Sequence, residues 1–276
     1  MTTIKASPFV PSGVITLTTD FGLRDPFVGV MKGVILRAFP AAKLIDLTHG
    51  VEAFWPQEAG FWLERTCRYF PDGTVHVAVV DPGVGSSRDI ILLQTLGQLF
   101  LAPDNGLLAQ VAATAPFDYL GSVQIPALGR ILGGAISTTF HGRDIFAPFA
   151  AGLAAGTVRA EDVTRPVLNL AESWLDEPVQ SSNKLEGVVV TIDNFGNLIT
   201  NIPGKLLQGF AEPRLSIGSL QLRLRRTYSD AQPGEYLALI NSFETIEIAR
   251  AQASAAEGLG LGRGTPIVIH DMVRHR

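Results

Sequence analysis

Cysteine is almost absent from this sequence of 276 residues, in which Cys67 stands alone. A single cysteine excludes an intrachain disulfide and any metal site built from several cysteines. Charge is also sparse, since 22 lysines and arginines against 26 aspartates and glutamates give a formal net charge of -4. That balance offers no basic surface for nucleic acid, so we expect no nucleic-acid partner.

Long apolar runs are missing as well. Stretches such as Val188–Val190 and Ile90–Leu93 are far shorter than the roughly 20 residues that span a bilayer. The segment Met1–Pro11 holds one lysine and lacks the apolar core of a secretory signal. With 46% hydrophobic and 17% charged residues, the composition excludes a mainly disordered chain. We therefore expect a globular, cytoplasmic protein with no membrane partner.

Two periodicities alternate in the first half of the chain. Short β-branched runs predict buried strands, and the stretches between them have the apolar spacing of helices. In chain order they are strand Val14–Thr19, helix Phe27–Phe39, strand Lys43–Leu47, helix Gln57–Phe70, strand Thr74–Val80, a hairpin of Ile90–Thr95 with Gln98–Leu101, and helix Arg143–Ala155. Alternating strands and helices are typical of an α/β domain with a mainly parallel sheet, buried on both faces.

The second part of the chain has a different texture. A stretch without periodicity, about residues 170–184, predicts a linker between an α/β domain at 1–175 and a second domain at 185–276. The second domain contains short strand-like runs separated by glycine, asparagine and proline: Leu185–Ile192, Leu198–Ile202, Leu215–Leu224, Tyr236–Asn241, Thr245–Ala249 and Pro266–His270. This pattern predicts a small antiparallel β domain, a barrel or a sandwich.

Two aspartates directly follow predicted strands. Asp20 comes after Val14–Thr19 and Asp81 after Thr74–Val80, and open parallel sheets bind ligands beyond the carboxyl ends of their strands. A carboxylate there can accept hydrogen bonds from sugar hydroxyls or take a proton from water. The alternative is that each aspartate caps the helix or turn that follows it.

The loop from Asp81 to Arg88 is rich in turn residues. Gly83 and Gly85 permit a positive φ or a close approach to a ligand, and Arg88 can fold back to pair with Asp81. Such a pair keeps the carboxylate ionised and adds positive potential for a nascent hydroxide. The phosphate-loop pattern G-x-x-x-x-G-K-[ST] and the dinucleotide pattern G-x-G-x-x-G are both absent from the sequence. A plain surface salt bridge is the alternative interpretation.

His141 precedes a predicted helix start, where it can serve in acid–base chemistry or orient a water. A structural histidine is the alternative there. His76 lies within a strand run and is predicted to belong to the core. The histidines and aspartates are scattered, so we expect no metal site.

A predicted turn at Asp193-Asn-Phe-Gly-Asn197 carries several side-chain acceptors. The ring of Phe195 offers a flat face to an aromatic ligand. A simple hairpin turn explains the asparagines and the glycine equally well. A functional role requires that this turn meet the crevice of the first domain.

Six motifs occur in an order that resembles one enzyme family. They are Thr18-Thr-Asp-Phe-Gly, Val79-Val-Asp-Pro-Gly-Val-Gly, Arg88, Ala102-Pro-Asp-Asn-Gly106, Phe140-His-Gly-Arg-Asp144 and Ile192-Asp-Asn-Phe-Gly-Asn197. Together they resemble the S-adenosylmethionine hydrolases (adenosine-forming), also called S-adenosylmethionine hydroxide adenosyltransferases, which are relatives of fluorinating and chlorinating enzymes. The resemblance spans almost the whole chain.

The resemblance implies an α/β N-terminal domain, a C-terminal β-barrel and a homotrimer with sites between subunits. It implies hydrolysis of S-adenosyl-L-methionine to adenosine and L-methionine without a metal or an organic cofactor. The catalytic set of the family corresponds here to Asp81, Arg88 and His141. The implied substrate-binding residues are Asp20 at the ribose hydroxyls, Asp25 and Asp193 near the methionine amine, Phe195, Asn197 and Arg250 near the adenine, Ser242 near the methionine carboxylate, and Phe140 in the motif of His141.

The sequence also departs from relatives of this family. Halogenating relatives carry a tyrosine at the position of Asp81 and a tyrosine and a serine at His141 and Gly142. A carboxylate beside a histidine suits water better than a halide, because a halide has no proton to give up. Glu244 stands where the family usually has glycine. A non-catalytic protein that binds adenosine or S-adenosylmethionine, and a hydrolase of another nucleoside, are the alternative interpretations.

Overall fold

A computed structural model describes residues 9–133 and 135–272. The chain divides into two compact units between Trp174 and Leu175, within the stretch predicted as a linker. Each unit is built on one sheet. No helix in the described part of the chain is long and apolar enough to cross a membrane.

A seven-stranded sheet forms the first unit. Its strands are β1 (Val14–Thr19), β2 (Lys43–Thr48), β3 (Val75–Val79), β4 (Ile90–Thr95), β5 (Gln98–Pro103), β6 (Tyr119–Val123) and β7 (Thr164–Pro166). They lie in the order β2-β1-β3-β5-β4-β6-β7. The pairs from β2 to β5 are parallel, whereas β4 pairs antiparallel with β5 and β6, and β7 antiparallel with β6. Only β4 and β7 therefore run against the other strands, and the predicted mainly parallel sheet is confirmed.

Helices cover both faces of this sheet. They are α1 (Phe27–Ala38), α2 (Pro56–Thr66), α3 (Ala109–Thr114), α4 (Ile125–Leu132), α5 (Ala147–Ala155) and α6 (Ala160–Val163). Side chains of β3 alternate between two apolar clusters: Val77 and Val79 pack with α1 and α5, and Ala78 packs with α2 and α3. Successive side chains of a strand point to opposite faces of the sheet, and here both faces are covered by helices. A continuous buried run without polar alternation is therefore expected for β3.

Some element boundaries differ from the predictions. The helix predicted to reach Phe70 ends at Thr66, where a single 3₁₀ turn, Cys67–Tyr69, follows. The helix predicted from Arg143 begins with a π-helical turn, Gly142–Phe146, before α5. Strands β6 and β7 were not predicted, because β6 contains glycine and serine and β7 is a three-residue edge strand that ends in proline.

An antiparallel sheet forms the second unit. Its strands are β8 (Val179–Ser181), β9 (Lys184–Ile192), β10 (Leu198–Pro203), β11 (Pro213–Ile217), β12 (Leu220–Arg223), β13 (Tyr236–Ile240), β14 (Thr245–Arg250) and β15 (Pro266–Asp271), with helix α7 (Ala255–Leu259) before the last strand. The order is β12-β11-β15-β9-β10-β14-β13, with β8 beside β9. The two edges approach each other, since the Arg225 amide donates to the Ala238 carbonyl at 2.7 Å. The sheet is thus a nearly closed barrel, as predicted.

His76 lies in the core of the first unit, as its place in a strand run predicts. Its Nδ1 is 2.7 Å from the Thr16 hydroxyl and its Nε2 is 3.2 Å from Gln98 Oε1. The ring stacks on Phe100 with 4.8 Å between the ring centroids. Burial lowers the pKa of His76 to about 4, and the bond to Gln98 opposes this only in part.

We expect acid to destabilise the first unit through His76. Between pH 6.5 and about 4 the unfolded chain binds a proton at this histidine that the folded chain does not. The free energy of unfolding should therefore fall with pH over this range, by about 3 kcal/mol in total at about 1.4 kcal/mol per pKa unit. Urea unfolding at several pH values measures the loss. His76→Gln should lose less over the same range, and equal losses in both proteins would contradict the prediction.

Candidate active site

The carboxyl ends of β1 and β3 open into a cavity of about 290 Å³. Asp20 and Asp81, which follow these strands, both line it, so the two predicted carboxylates share one cavity. The segment before α5 forms another wall. The lining includes Asp20, Phe21, Phe27, Phe54, Asp81, Val84, Thr139, Phe140 and His141.

Arg88 links Asp81 to His141. Its Nε donates to both carboxylate oxygens of Asp81 at 2.9 Å, and its Nη2 donates to Oδ2 as well. The same Nη2 lies 2.9 Å from Nδ1 of His141. The side chains of Arg88 and Asp81 are only 10% and 5% exposed. The pair predicted from the loop sequence therefore forms, and its surroundings differ from those of a surface salt bridge.

The contact with Arg88 fixes the protonation state of His141. A guanidinium can only donate hydrogen bonds, so Nδ1 accepts and the ring proton is on Nε2. Burial and the charge of Arg88 lower the pKa of His141 below its ordinary value of 6.5, although Asp81 and Asp144 oppose them. The ring is neutral at pH 7 and offers Nε2–H as a donor.

One donor of Arg88 is unused. Its Nη1 is buried and has no hydrogen-bond partner among residues 9–133 and 135–272. An unsatisfied buried donor costs about 1–3 kcal/mol, and more when it is charged. Asp81 and His141 line the cavity, and both are bonded to the Arg88 guanidinium. These groups can hold a water, accept its proton and stabilise the resulting negative charge.

Asp20 is held by the backbone of Phe54, whose amide donates to Asp20 Oδ2 at 3.0 Å. Burial raises the pKa of Asp20, the Phe54 amide opposes this, and the nearby Asp81 adds to the rise. Phe54 has a positive φ of 65° and its ring is 73% exposed. Sequence reasoning missed Phe54, because an exposed aromatic residue in a loop follows no periodic pattern.

Three phenylalanines build the apolar wall of the cavity. The rings of Phe21, Phe27 and Phe140 pack edge to face, with centroids 5.4 to 6.1 Å apart. Edge-to-face packing is a favoured arrangement of aromatic rings. Phe140, which was predicted to bind substrate, is therefore part of a packed apolar lining.

The loop that carries Asp81 and Arg88 packs closely against the segment before His141. Gly85 has a φ of +80°, and a Cβ on it would lie 2.3 Å from the carbonyl oxygen of Thr138. Only glycine permits both this conformation and this approach. The glycine predicted to allow a close contact does so toward the protein's own backbone.

A second histidine supports the loop after β1. Nδ1 of His49 is 2.8 Å from the Thr19 hydroxyl, and Nε2 is 3.0 Å from Asp46 Oδ1. Thr19 in turn accepts the Phe21 amide at 3.2 Å, and the His49 carbonyl accepts the Gly22 amide at 2.8 Å. These bonds hold the backbone on both sides of Asp20. No role was predicted for His49, because its partner Thr19 lies thirty positions earlier in the chain.

The second unit has a cavity of its own, of about 490 Å³. It is lined by Phe195, Asn197, Tyr228, Arg250, Ala251, Gln252, Ala253 and Ser254. Asp193 turns its carboxylate toward its own turn, where Oδ1 accepts the amides of Phe195 and Asn197 and Oδ2 accepts the Asn197 side chain, all at 2.9 Å. Three of the predicted adenine-side residues therefore share this cavity, and Asp193 shapes the turn beneath it.

Two predicted substrate-binding residues lie outside both linings. Asp25 is exposed in the loop that leads to α1, and Ser242 is exposed in the turn between β13 and β14. In that turn Glu244 has a φ of 60°. The left-handed conformation costs a non-glycine residue roughly 1–2 kcal/mol, which accounts for the glycine usual at this position. In the described part of the chain, no three His, Cys, Asp or Glu side chains are grouped to hold a metal ion.

Family models account for most of the chain. The N-terminal domain model of the SAM hydroxide adenosyltransferases matches residues 15–164, and the C-terminal domain model matches residues 187–268. The chain belongs to this family. The two matched ranges cover the α/β sheet with its cavity and the barrel with the second cavity.

Curated relatives of this SAM hydroxide adenosyltransferase family member carry two names. The (R)-S-adenosyl-L-methionine hydrolase of Thermus thermophilus is 36% identical over 90% of this chain and 96% of its own. The protein of the same name from Salinispora arenicola is 38% identical over 91% of this chain and 95% of its own. A fluorinase of an Actinoplanes species is 26% identical over 93% of this chain and 97% of its own.

A solved structure has the same fold. The crystal structure of an uncharacterized conserved protein from Thermotoga maritima superposes with a TM-score of 0.85 and is 36% identical. The match covers 93% of this chain and 99% of that one. This chain therefore shares its fold with that protein over nearly the full length.

We expect His141 to be neutral at pH 7 with its proton on Nε2, because Arg88 occupies Nδ1. Nitrogen-15 NMR of the labelled protein distinguishes the two tautomers and gives the pKa, which should lie below 6.5. In Arg88→Met the pKa should rise, since a neighbouring positive charge has been removed. The signal of the exposed His270 serves as the control and should not move. A proton on Nδ1 would contradict the assignment.

Proposed function

We propose that this protein hydrolyses S-adenosyl-L-methionine to adenosine and L-methionine. The observation that carries the proposal is the Asp81–Arg88–His141 cluster, of which Asp81 and His141 line the cavity. A carboxylate, a guanidinium and a neutral imidazole are the groups needed to activate a water. Membership of the SAM hydroxide adenosyltransferase family and the hydrolase names of its relatives support the same reaction.

The reaction is a displacement at the 5′ carbon of the ribose. A water oxygen forms a bond to this carbon while the bond from carbon to the sulfonium sulfur breaks. The sulfur keeps the bonding electrons, so methionine leaves as a neutral thioether. The water proton passes to Asp81 and from there to solvent. Because a developing hydroxide meets a sulfonium, opposite charges cancel as the bond forms.

Each member of the cluster has one role in this step. Asp81 accepts the proton of the water, and the positive charge of Arg88, which is bonded to Asp81, stabilises the hydroxide character of the water. His141 donates from Nε2 and orients the water, since its Nδ1 is engaged by Arg88. A halide has no proton for Asp81 to accept, which favours hydrolysis over halogenation.

The other predicted residues are each assigned to one part of the substrate. Asp20 at the cavity is proposed to bind the ribose hydroxyls, with Phe140 in the wall beside the sugar. Both contacts are supported by their place in the cavity lining. The remaining proposed contacts are Asp25 and Asp193 to the methionine amine, Ser242 to the methionine carboxylate, and Phe195, Asn197 and Arg250 to the adenine.

A homotrimer with its sites between subunits belongs to the same proposal. Large apolar side chains are exposed in both units: Leu23 at 77% in the loop after β1, Phe54 at 73% in the first cavity and Phe195 at 76% in the second. Exposed apolar patches of this kind mark contact surfaces. Light scattering should give three times the 29.6 kDa of the chain. A monomer at micromolar concentration would overturn this part of the proposal.

Labelled water tests the reaction directly. Purified protein is treated with a chelator and incubated with S-adenosyl-L-methionine in oxygen-18 water, and the products are analysed by mass spectrometry. We expect the label in the 5′ hydroxyl of adenosine, together with one methionine per adenosine. Tight retention of intact substrate without turnover would instead identify a binding protein, and label in any other product a different hydrolase.

Replacing Asp81 tests its role as proton acceptor. In Asp81→Asn the turnover number should fall by about 10² to 10⁴, because the amide cannot take the proton. Calorimetry should show adenosine binding close to that of the wild type. The matched control is Asp162→Asn, which removes a carboxylate from an arginine pair on an exposed surface, where Arg159 donates two hydrogen bonds to it. Turnover of Asp81→Asn equal to the control would remove Asp81 from the mechanism.

A further inference from the structure

The loop from Asp81 to Arg88 is exposed over most of its length and has few internal bonds. Most of its interior residues are exposed, with Val84 at 37%, although Gly85 packs against the Thr138 carbonyl. The internal bonds are short-range, such as the Ser86 amide to the Gly83 carbonyl at 3.1 Å. Yet its two ends carry side chains that must meet within hydrogen-bond distance. An exposed loop of this kind requires anchors at its ends if the pair is to keep one geometry.

Both anchors come from the turn after β5. The side-chain amide of Asn105 donates to the carbonyl of Val80, the residue before Asp81, at 2.9 Å. The backbone amide of Asp104 donates to the carbonyl of Asp89, the residue after Arg88, at 3.0 Å. The sheet order explains this coincidence. Since β5 lies between β3 and β4, its carboxyl end adjoins both the end of β3 and the start of β4.

The turn is itself firmly held. The Asn105 Oδ1 accepts the Leu107 amide at 3.3 Å, and the Asp104 carboxylate accepts the Ala171 amide at 2.8 Å. Gly106 has a φ of +87°, and a Cβ on it would lie 2.3 Å from the carbonyl oxygen of Glu172. Leu107 is fully buried. The anchors therefore belong to a turn that is itself bonded to other parts of the first unit.

We propose that Asn105 is a positioning residue for the Asp81–Arg88 pair, acting with the Asp104 backbone as a clamp on both ends of the loop. Asn105 does not touch the pair. It fixes the backbone of Val80 just before Asp81, and the Asp104 amide fixes the backbone of Asp89 just after Arg88. The inference rests on the proposed hydrolysis, because it assigns a part in that reaction. It gives a function to the motif Ala102-Pro-Asp-Asn-Gly106.

The test removes the donor in two ways. Asn105→Asp preserves the shape and the acceptor for Leu107 but cannot donate to Val80. Asn105→Ala removes the donor without adding charge, together with the acceptor for the Leu107 amide. The matched control is Asn201→Asp in the barrel, where the side-chain amide also donates to a carbonyl, that of Asp176, and Oδ1 also accepts an amide, that of Val188, both at 2.8 Å.

Steady-state kinetics and hydrogen exchange are then measured on all variants. We expect both Asn105 variants to lose about 10- to 100-fold in kcat with KM changed by no more than about threefold, since a small displacement of a catalytic group has effects of this size. Amide exchange should become faster at residues 82–89 and stay unchanged in β1 and β5. The Asn201→Asp control should keep the kcat of the wild type.

Two results would overturn the proposal. One is a kcat of the Asn105 variants equal to that of the control. The other is faster exchange across the whole first unit, which would mark a loss of general stability. If the wild type shows no turnover, the proposed hydrolysis itself fails, whereas the exchange experiment still decides whether Asn105 clamps the loop.

Discussion

The ion pair between Asp81 and Arg88 is the interaction on which the rest of the first unit's cavity depends. Taking two charges out of water carries a large desolvation cost, which is offset only when geometry and hydrogen bonding are good. Here three donor contacts join the two groups, and their side chains are 10% and 5% exposed. The same guanidinium then determines the tautomer of His141. One arginine thus holds both other members through hydrogen bonds.

The sheet order is what brings these groups together. Asp20 and Asp81 end adjacent parallel strands, so their carboxylates face one cavity. In the sheet, β5 lies between β3 and β4, and β4 runs antiparallel to both. The Asp81–Arg88 loop therefore connects the end of β3 to the start of β4 across a single strand. A π-helical turn at Gly142–Phe146 then starts the helix after His141, and such turns are frequent at functional sites.

Local sequence patterns predict the strands and the residues at their ends, but not the contacts between residues distant in the sequence. Val14–Thr19 is predicted to the residue because a buried parallel strand is a continuous apolar and β-branched run. Asp20 and Asp81 follow from the rule for strand ends. The contact of His141 with Arg88 spans 53 positions, so no spacing reveals it, and it was expected only from the family resemblance. The contact of Phe54 with Asp20 depends on the geometry of a loop, and that of His49 depends on Thr19, a partner distant in the sequence. The hydrogen bond from Asn105 to Val80 depends on the order of the strands in the sheet.

The second unit illustrates the same limit. Asp193 and Asn197 occur in a predicted turn, and the structure shows that the Asp193 carboxylate is engaged by that turn's own amides. Residue types alone do not tell which way a carboxylate faces. Glu244 is a different case, because the unusual residue in the sequence coincides with a left-handed backbone.

The neutral state of His141 has a consequence for the electrostatic balance of the cavity. With Asp20 and Asp81 ionised, Arg88 positive and the imidazole uncharged, the four groups together carry one negative charge. A sulfonium is attracted by that field, whereas adenosine has no charge for it to act on. The reaction removes the cation that the field holds. The same fixed charges that draw the substrate in therefore give the nucleoside product no electrostatic reason to stay.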